Sequence, residues 1–112
     1  MNQERVMRIA KNEALFRAVN ERVEGLNETF QTMTGRIVIV CECGDPSCIE
    51  QIDLSRGEYE HVRELPTRFA VKPEHVFDEI EHVTHKGAGY WVVTKDAGES
   101  ERVAEELDTR ER

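Results

Sequence analysis

Three cysteines within eight residues constrain this chain more than any other feature of its sequence. Cys41, Cys43 and Cys48 are its only cysteines, in the spacing C-x-C-x4-C. They follow a β-branched run, R-I-V-I-V at 36–40, which predicts a strand. Side chains alternate along a strand, so Cys41 and Cys43 are expected to point to the same side. The turn sequence Gly-Asp-Pro-Ser at 44–47 can bring Cys48 back toward them, and three thiols should therefore converge.

Converging thiolates are typical ligands of zinc, which prefers four tetrahedral ligands, mostly thiolates and imidazoles. A fourth ligand must come from elsewhere, and the sequence offers four histidines: His61, His75, His82 and His85. Three of them fall in a predicted helix or strand, where surface or packed positions are expected. His75 differs because it follows Pro73 in a predicted turn, and turns can present a side chain to a neighbouring loop.

The sequence therefore predicts a closed, structural zinc site. Its predicted ligands are Cys41, Cys43, Cys48 and His75. Water, Asp45 or a thiolate from another chain are the alternative fourth ligands. Catalytic zinc keeps one position open for water, so a closed site would be structural. The bound Zn2+ would then contribute directly to the free energy of folding.

A thiol-redox protein or an enzyme is the alternative interpretation of the same cysteines. A disulfide between Cys41 and Cys43 would be strained at that spacing. Reactive thiolates need a positive neighbour or a helix N-terminus, whereas Glu42 and Asp45 are expected to raise the pKa of the thiols. The sequence contains no G-x-S-x-G motif and no glycine-rich phosphate loop. Enzymatic activity is left open but is not favoured.

Residues 1–30 are predicted to form a long amphipathic helix, covering residues 3–29. Its apolar side chains fall at heptad positions: Ile9, Phe16, Val19, Val23, Leu26 and Phe30. This spacing predicts a packing seam. The seam could pack on the helix's own domain, or it could pair with a protein partner or a second copy of the chain.

Residues 31–112 are predicted to form a zinc-stabilised α+β domain. The sequence predicts a mainly antiparallel sheet of two hairpins plus a short strand, with two short helices, and helices covering one face. The predicted strands are 36–40, 49–54, 68–72, 79–86 and 90–95, and the predicted short helices begin at the capping box of Ser55 and Glu58 and at Glu99. Residues 108–112 are expected to be a frayed tail.

Charge and hydropathy narrow the classes of partner. The formal net charge of −8 disfavours binding to nucleic-acid phosphates or to anionic membranes. No apolar run approaches the roughly 20 residues that a membrane helix needs, and residues 1–11 lack a signal-peptide core. A cytoplasmic location is expected, where closely spaced cysteines bind metal or do redox work more often than they form disulfides.

Two motifs carry a resemblance to a known family. They are C-E-C-G-D-x-x-C at 41–48 and P-x-R-F-x-V-x-P-x-H at 66–75, and further agreement extends over about residues 12–110. Together they resemble a family of small, functionally uncharacterised proteins common in actinobacteria. The resemblance implies that His75 belongs to the same motif set as the three cysteines, and it implies no substrate or partner. We therefore predict a small zinc-binding protein that acts as a protein-interaction or regulatory module.

Overall fold

The computed structural model describes residues 2–26 and 28–112, and it confirms a mixed α+β fold. The described residues form four helices and five strands, in the order α1 (Gln3–Leu26), α2 (Glu28–Thr34), β1 (Arg36–Val40), β2 (Gln51–Ser55), α3 (Arg56–Val62), β3 (Arg68–Val71), β4 (Glu81–Gly87), β5 (Tyr90–Lys95) and α4 (Glu99–Glu106). Among these helices, none is long and apolar enough to cross a membrane.

The strands form two antiparallel sheets rather than the single sheet expected. One is the β1–β2 hairpin, and the other has the order β3-β5-β4, with β5 in the centre. The division falls at the end of β1. Just beyond the ends of β1 and β2, the N–H of Cys41 still donates to the carbonyl of Glu50 (3.0 Å), whereas the N–H of Glu42 donates to Ala70 on β3 (2.9 Å). The segment that carries the cysteines therefore joins the two sheets.

The apolar core lies where the two sheets and α3 meet. Its largest fully buried side chains are Ile39, Ile52, Leu54, Tyr59, Val62 and Phe69. The predicted capping box is confirmed: the Ser55 hydroxyl accepts from the N–H of Glu58 (2.9 Å), and the Glu58 carboxylate accepts from the N–H of Ser55 (2.8 Å). This start fixes the direction in which α3 leaves β2 and so positions Tyr59 and Val62 in the core.

The long helix is shorter than predicted, and it packs through a different face. α1 ends at Leu26 and a separate helix, α2, begins at Glu28, while residue 27 lies outside the described residues. The buried positions of α1 are Ile9, Ala10, Glu13, Ala14, Arg17, Asn20 and Glu24. Of the predicted seam, Ile9 alone is buried, Phe16 and Val23 are half-buried, and the rest is exposed. The buried face of α1 is thus largely polar.

Buried ion pairs and hydrogen bonds hold this polar face of α1 against the rest of the domain. The ammonium of Lys95 on β5 contacts the carboxylates of Glu13 on α1 and Glu81 on β4, and all three side chains are fully buried. The guanidinium of Arg17 donates to the carbonyl oxygens of Pro66 (2.5 Å) and Ala104 (2.8 Å). Helix α1 is therefore fastened to β4, β5 and α4 by charges rather than by an apolar stripe.

The C-terminal tail is held in place, so the expectation of a frayed tail was wrong. Arg63, whose side chain is fully buried, pairs with Glu21 on α1 and with Asp108 in the tail (2.7 Å). Arg110 pairs with Glu21 (2.8 Å) and with Glu60 (2.7 Å). These ion pairs hold the tail against α1 and α3.

Candidate metal centre

The four predicted ligands lie together at the tip of the β1–β2 hairpin. One donor atom from each of Cys41, Cys43, Cys48 and His75 lies within 4.8 Å of every other. The Nδ1 atom of His75 is 3.6 Å from the Cys41 sulfur and 3.7 Å from the Cys48 sulfur. A tetrahedral zinc ion with Zn–S of about 2.3 Å and Zn–N of about 2.1 Å has S···N edges of about 3.6 Å. The arrangement is therefore close enough to hold a metal ion.

The other candidate ligands have different partners. Asp45 Oδ1 accepts hydrogen bonds from the N–H (2.9 Å) and hydroxyl (2.7 Å) of Ser47, so Asp45 stabilises the turn that returns Cys48. His61 pairs with Glu64 (3.2 Å), and His82 pairs with Asp96 (2.7 Å). Among the described residues, the three cysteines and His75 form the one group of this kind.

Gly44 allows the cysteine loop to approach α1 closely. Its φ is +83°, a conformation that favours glycine. A Cβ at this position would lie 2.7 Å from the Cγ of Glu13 and 2.9 Å from the carbonyl oxygen of Ile9. The carbonyl of Gly44 also accepts a hydrogen bond from the Asn12 side chain (3.1 Å). The turn between Cys43 and Cys48 is therefore seated directly on the N-terminal half of α1.

A strained turn presents His75. The N–H of His75 donates to the carbonyl of Lys72 (3.1 Å) across Pro73 and Glu74. Proline suits the second position of such a turn, and the third requires a positive φ that glycine normally supplies. Here Glu74 adopts it, with φ +75°. Backbone strain of this kind is concentrated at functional sites, and the sequence gives no direct sign of it.

Behind the cysteines lies a buried polar network that sequence reasoning did not identify. Glu42, between two of the cysteines, is fully buried. Its carboxylate accepts hydrogen bonds from the N–H of Ala70 (3.0 Å), the Tyr59 hydroxyl (3.0 Å) and the Asn20 amide (2.8 Å). The Asn20 side chain also pairs with both backbone groups of Val40, at 2.8 and 2.9 Å. The network joins α1, α3, β1 and β3 at the start of the cysteine loop.

The thiols are distinguished by their environments. The pKa of Cys43 is lowered to about 5, chiefly because the Cys41 side chain hydrogen-bonds to its sulfur, with further hydrogen bonds from the backbone of Asp45 and from His75. The pKa of Cys41 is raised by the same hydrogen bond and by burial, and burial raises the pKa of Cys48. The expectation that Glu42 and Asp45 raise the thiol pKa values was therefore wrong for Cys43. The Glu42 carboxylate is turned away into its own network, and the hydrogen bond from the backbone of Asp45 lowers the pKa of Cys43.

Burial of the group is graded. Cys41 and Cys43 are each 2% exposed, whereas Cys48 and His75 are half-buried. The backbone N–H of Lys72 donates to the Cys41 sulfur (3.2 Å). Such a donor stabilises a thiolate, and a metal-bound thiolate can accept it without losing its metal bond. The chemistry of this donor set, three sulfurs and one imidazole nitrogen, matches the preference of zinc and other thiolate-binding ions.

Comparison of the chain with protein-family models, with curated proteins and with solved structures gives no significant match.

Proposed function

We propose that this protein is a small zinc-binding module whose structural Zn2+ ties the cysteine loop to the His75 turn, and which acts through contacts with other proteins. The observation that carries the proposal is the convergence of three sulfurs and one imidazole nitrogen at spacings that suit a tetrahedral ion. Thiolate and imidazole ligands favour zinc over calcium or magnesium, which prefer oxygen.

Four protein ligands fill the tetrahedron, so a structural role is favoured over a catalytic one. The cysteine loop runs from one sheet into the other, and His75 follows β3 of the second sheet. An ion at this point stabilises the contact between the sheets. Because a small domain buries a modest apolar core, such an ion supplies a large share of its stability.

One observation favours the alternative of thiol-redox chemistry. The lowered pKa of Cys43 gives it thiolate character near neutral pH. Reactive cysteines, however, are partially exposed, and Cys43 is 2% exposed. The same lowered pKa suits a metal ligand, because metal binding needs a deprotonated sulfur. Burial and a lowered pKa are together what a structural metal ligand requires, whereas a reactive thiol requires exposure.

Elemental analysis and thermal unfolding of Cys43→Ser test the proposal. We expect about one zinc per chain in the wild type, and in Cys43→Ser both loss of zinc and destabilisation by several kcal/mol, since structural zinc contributes about 10–16 kcal/mol of apparent binding energy in small peptides. His75→Ala should lose zinc as well. His82→Ala is the matched control, because His82 is an exposed histidine paired with Asp96 and should leave zinc content unchanged.

Thiol titration separates the two functions. Bound zinc should protect all three thiols until a chelator is added, and the chelator should lower the melting temperature. Three results together would reject the zinc module and favour redox chemistry: the purified wild-type protein contains no metal, its melting temperature is the same with and without chelator, and one of its thiols reacts fast.

A further inference from the structure

Exposed apolar side chains are concentrated on α1 and α2. Nine large apolar side chains are exposed among the described residues, and five of them lie between residues 15 and 33: Leu15, Val19, Leu26, Phe30 and Met33. We call these five the outer apolar surface. Isolated exposed apolar residues are normal, but a contiguous group marks a site of interaction.

On α1, this surface lies opposite the buried face. At about 100° of rotation per residue, Leu15, Val19 and Leu26 cluster on one side of the helix. The buried residues Glu13, Arg17 and Glu24 cluster on the other side. The stripe follows the i, i+4, i+11 spacing of a surface that packs against another helix.

The surface continues onto α2 through an open groove. Leu26, Phe30 and Met33 line this groove, whose volume is about 570 Å³. These side chains are 73%, 64% and 81% exposed. An aromatic and a methionine side chain at the end of a helical stripe are typical anchors of helix-binding grooves.

The charge beside the α1 part of the outer apolar surface is positive, although the chain is acidic overall. Arg8, Lys11 and Arg22 are exposed on α1, in a chain of formal net charge −8. After Glu4, every acidic residue of α1 is turned inward: Glu13 binds Lys95, Glu21 binds Arg63, and Glu24 binds Arg110. The inner face therefore pairs these carboxylates of α1 and leaves a border of basic side chains beside the α1 part of the outer apolar surface, whereas the groove at α2 carries the exposed carboxylate of Glu28.

We propose that the outer apolar surface binds an amphipathic helix of another protein whose apolar stripe is flanked by acidic residues. The inference rests on the proposed function and deepens it, because it names the class of partner of the interaction module. Opposite charges along the border steer association and select the partner. A second copy of the chain fits less well, because two outer faces would bring the basic borders of both helices together.

A synthetic helical peptide is the probe. It has three heptads, about 21 residues, with Leu at positions a and d and Glu at positions e and g, and a control peptide carries Lys in place of each Glu. Fluorescence anisotropy with the zinc-loaded full chain should show binding of the Glu peptide about tenfold or more tighter than of the Lys peptide, with affinity that falls as salt rises. Equal affinity for the two peptides, or no binding of the Glu peptide, would overturn the proposal.

Variants locate the binding surface. The double substitution Val19→Ser and Leu26→Ser should weaken binding of the Glu peptide by about tenfold or more. Leu65→Ser is the matched control, because Leu65 is 45% exposed, close to the 41% of Val19, but lines a different cavity, with His61 and Thr84. A double variant that binds like the wild type would overturn the proposal. Sedimentation equilibrium showing a dimer that the double variant abolishes would replace the acidic partner with a second copy.

Zinc content distinguishes failure of this inference from failure of the proposed function. The double variant should retain zinc and the wild-type melting temperature, since both side chains are exposed, lie opposite the buried face of α1 and are not among the candidate ligands. If the wild-type chain contains zinc but does not bind the Glu peptide, only the proposal of an acidic helical partner is rejected. If the wild-type chain contains no zinc, the proposed zinc-binding function is rejected, whether or not the Glu peptide binds.

Discussion

The two faces of α1 invert the usual distribution of residues in a surface helix. The inner face buries Glu13, Arg17, Asn20 and Glu24, while the outer face exposes Leu15, Val19 and Leu26. A helix that only needed to cover a core would bury its leucines and valines and solvate its charges. In α1 these four polar side chains are buried, and of the larger apolar side chains Leu15, Val19 and Leu26 remain accessible while Ile9 is buried.

The difference shows that docking of α1 depends on specific partners rather than on general apolar burial. Each buried polar group must meet a particular counterpart, so the rotation of the helix about its axis is specified closely. Buried ion pairs are weak contributors to net stability, but loss of one partner is costly because it leaves an unpaired charge in the interior. Substitutions on the inner face should therefore cost more than substitutions on the outer face.

The largest expected effect comes from Lys95, which serves two carboxylates. Lys95→Met leaves the buried carboxylates of Glu13 and Glu81 without their cation, and we expect a loss of about 3–5 kcal/mol in the free energy of unfolding. Urea denaturation measures it. Arg36→Met is the control, because the Arg36–Asp53 pair is exposed and should contribute less than about 1 kcal/mol.

A triple variant sharpens the same test. Glu13→Met and Glu81→Gln, combined with Lys95→Met, remove the charges together, and glutamine can still accept the hydrogen bond that Glu81 receives from the N–H of Phe77. We expect most of the lost stability to return. If Lys95→Met alone were as mild as Arg36→Met, the buried charges would not determine how α1 docks.

A smaller effect is expected for Asn20, which joins α1 to the cysteine loop. Asn20→Ala removes hydrogen bonds to both backbone groups of Val40 and one to the Glu42 carboxylate. Leaving these buried groups unsatisfied should cost about 1–3 kcal/mol. The matched control is Asn12→Ala, at another asparagine of α1. This substitution removes a single hydrogen bond to the carbonyl of Gly44 and should cost about 1 kcal/mol or less. Equal losses in the two variants would contradict the role of the network.

The grouping of the four candidate ligands could be predicted because the signals are local. The cysteines lie within eight residues, their turn contains Gly44 and Pro46, and His75 follows a proline. The strands could be predicted from alternating apolar and polar residues, and the start of α3 from the Ser55 capping box, because each signal spans only a few residues. Such features depend on neighbours in sequence, so one chain suffices to recognise them.

The inner face of α1 could not be predicted in the same way. Lys95 is 82 residues from Glu13, and Ala104 is 87 residues from Arg17. The charges alone look like those of a solvated surface, and the heptad pattern pointed to the apolar side as the packing face. The split into two sheets likewise depends on the hydrogen bond between Glu42 and Ala70, a contact between distant segments. These features are determined by contacts between residues far apart in the sequence, and the periodicity of a segment carries no information about such contacts.

The smallest predicted effect lies at the C-terminal end of the inner face, where Glu24 lies beside Glu60 and Arg110. Burial, followed by the hydrogen bond and the charge of Glu60, raises the pKa of Glu24 to about 7 from an ordinary value of 4.5. The folded chain therefore holds a proton on Glu24 over a range in which the unfolded chain has released it. Linkage then requires stability to fall as pH rises from about 4.5 to about 7, and to level off above that.

Glu24→Gln should remove this slope, because the amide cannot release a proton. Urea denaturation at several values between about pH 5 and pH 8 measures the difference in stability between the variant and the wild type, and the variant should gain relative to the wild type as pH rises. Glu4→Gln, at an exposed position on the same helix, should follow the wild-type curve throughout. The comparison of difference curves removes any pH dependence of metal binding, which all three chains share. If stability depends on pH in the same way in Glu24→Gln and in the wild type, this end of the inner face is hydrated. The buried and paired part of the face would then end before Glu24.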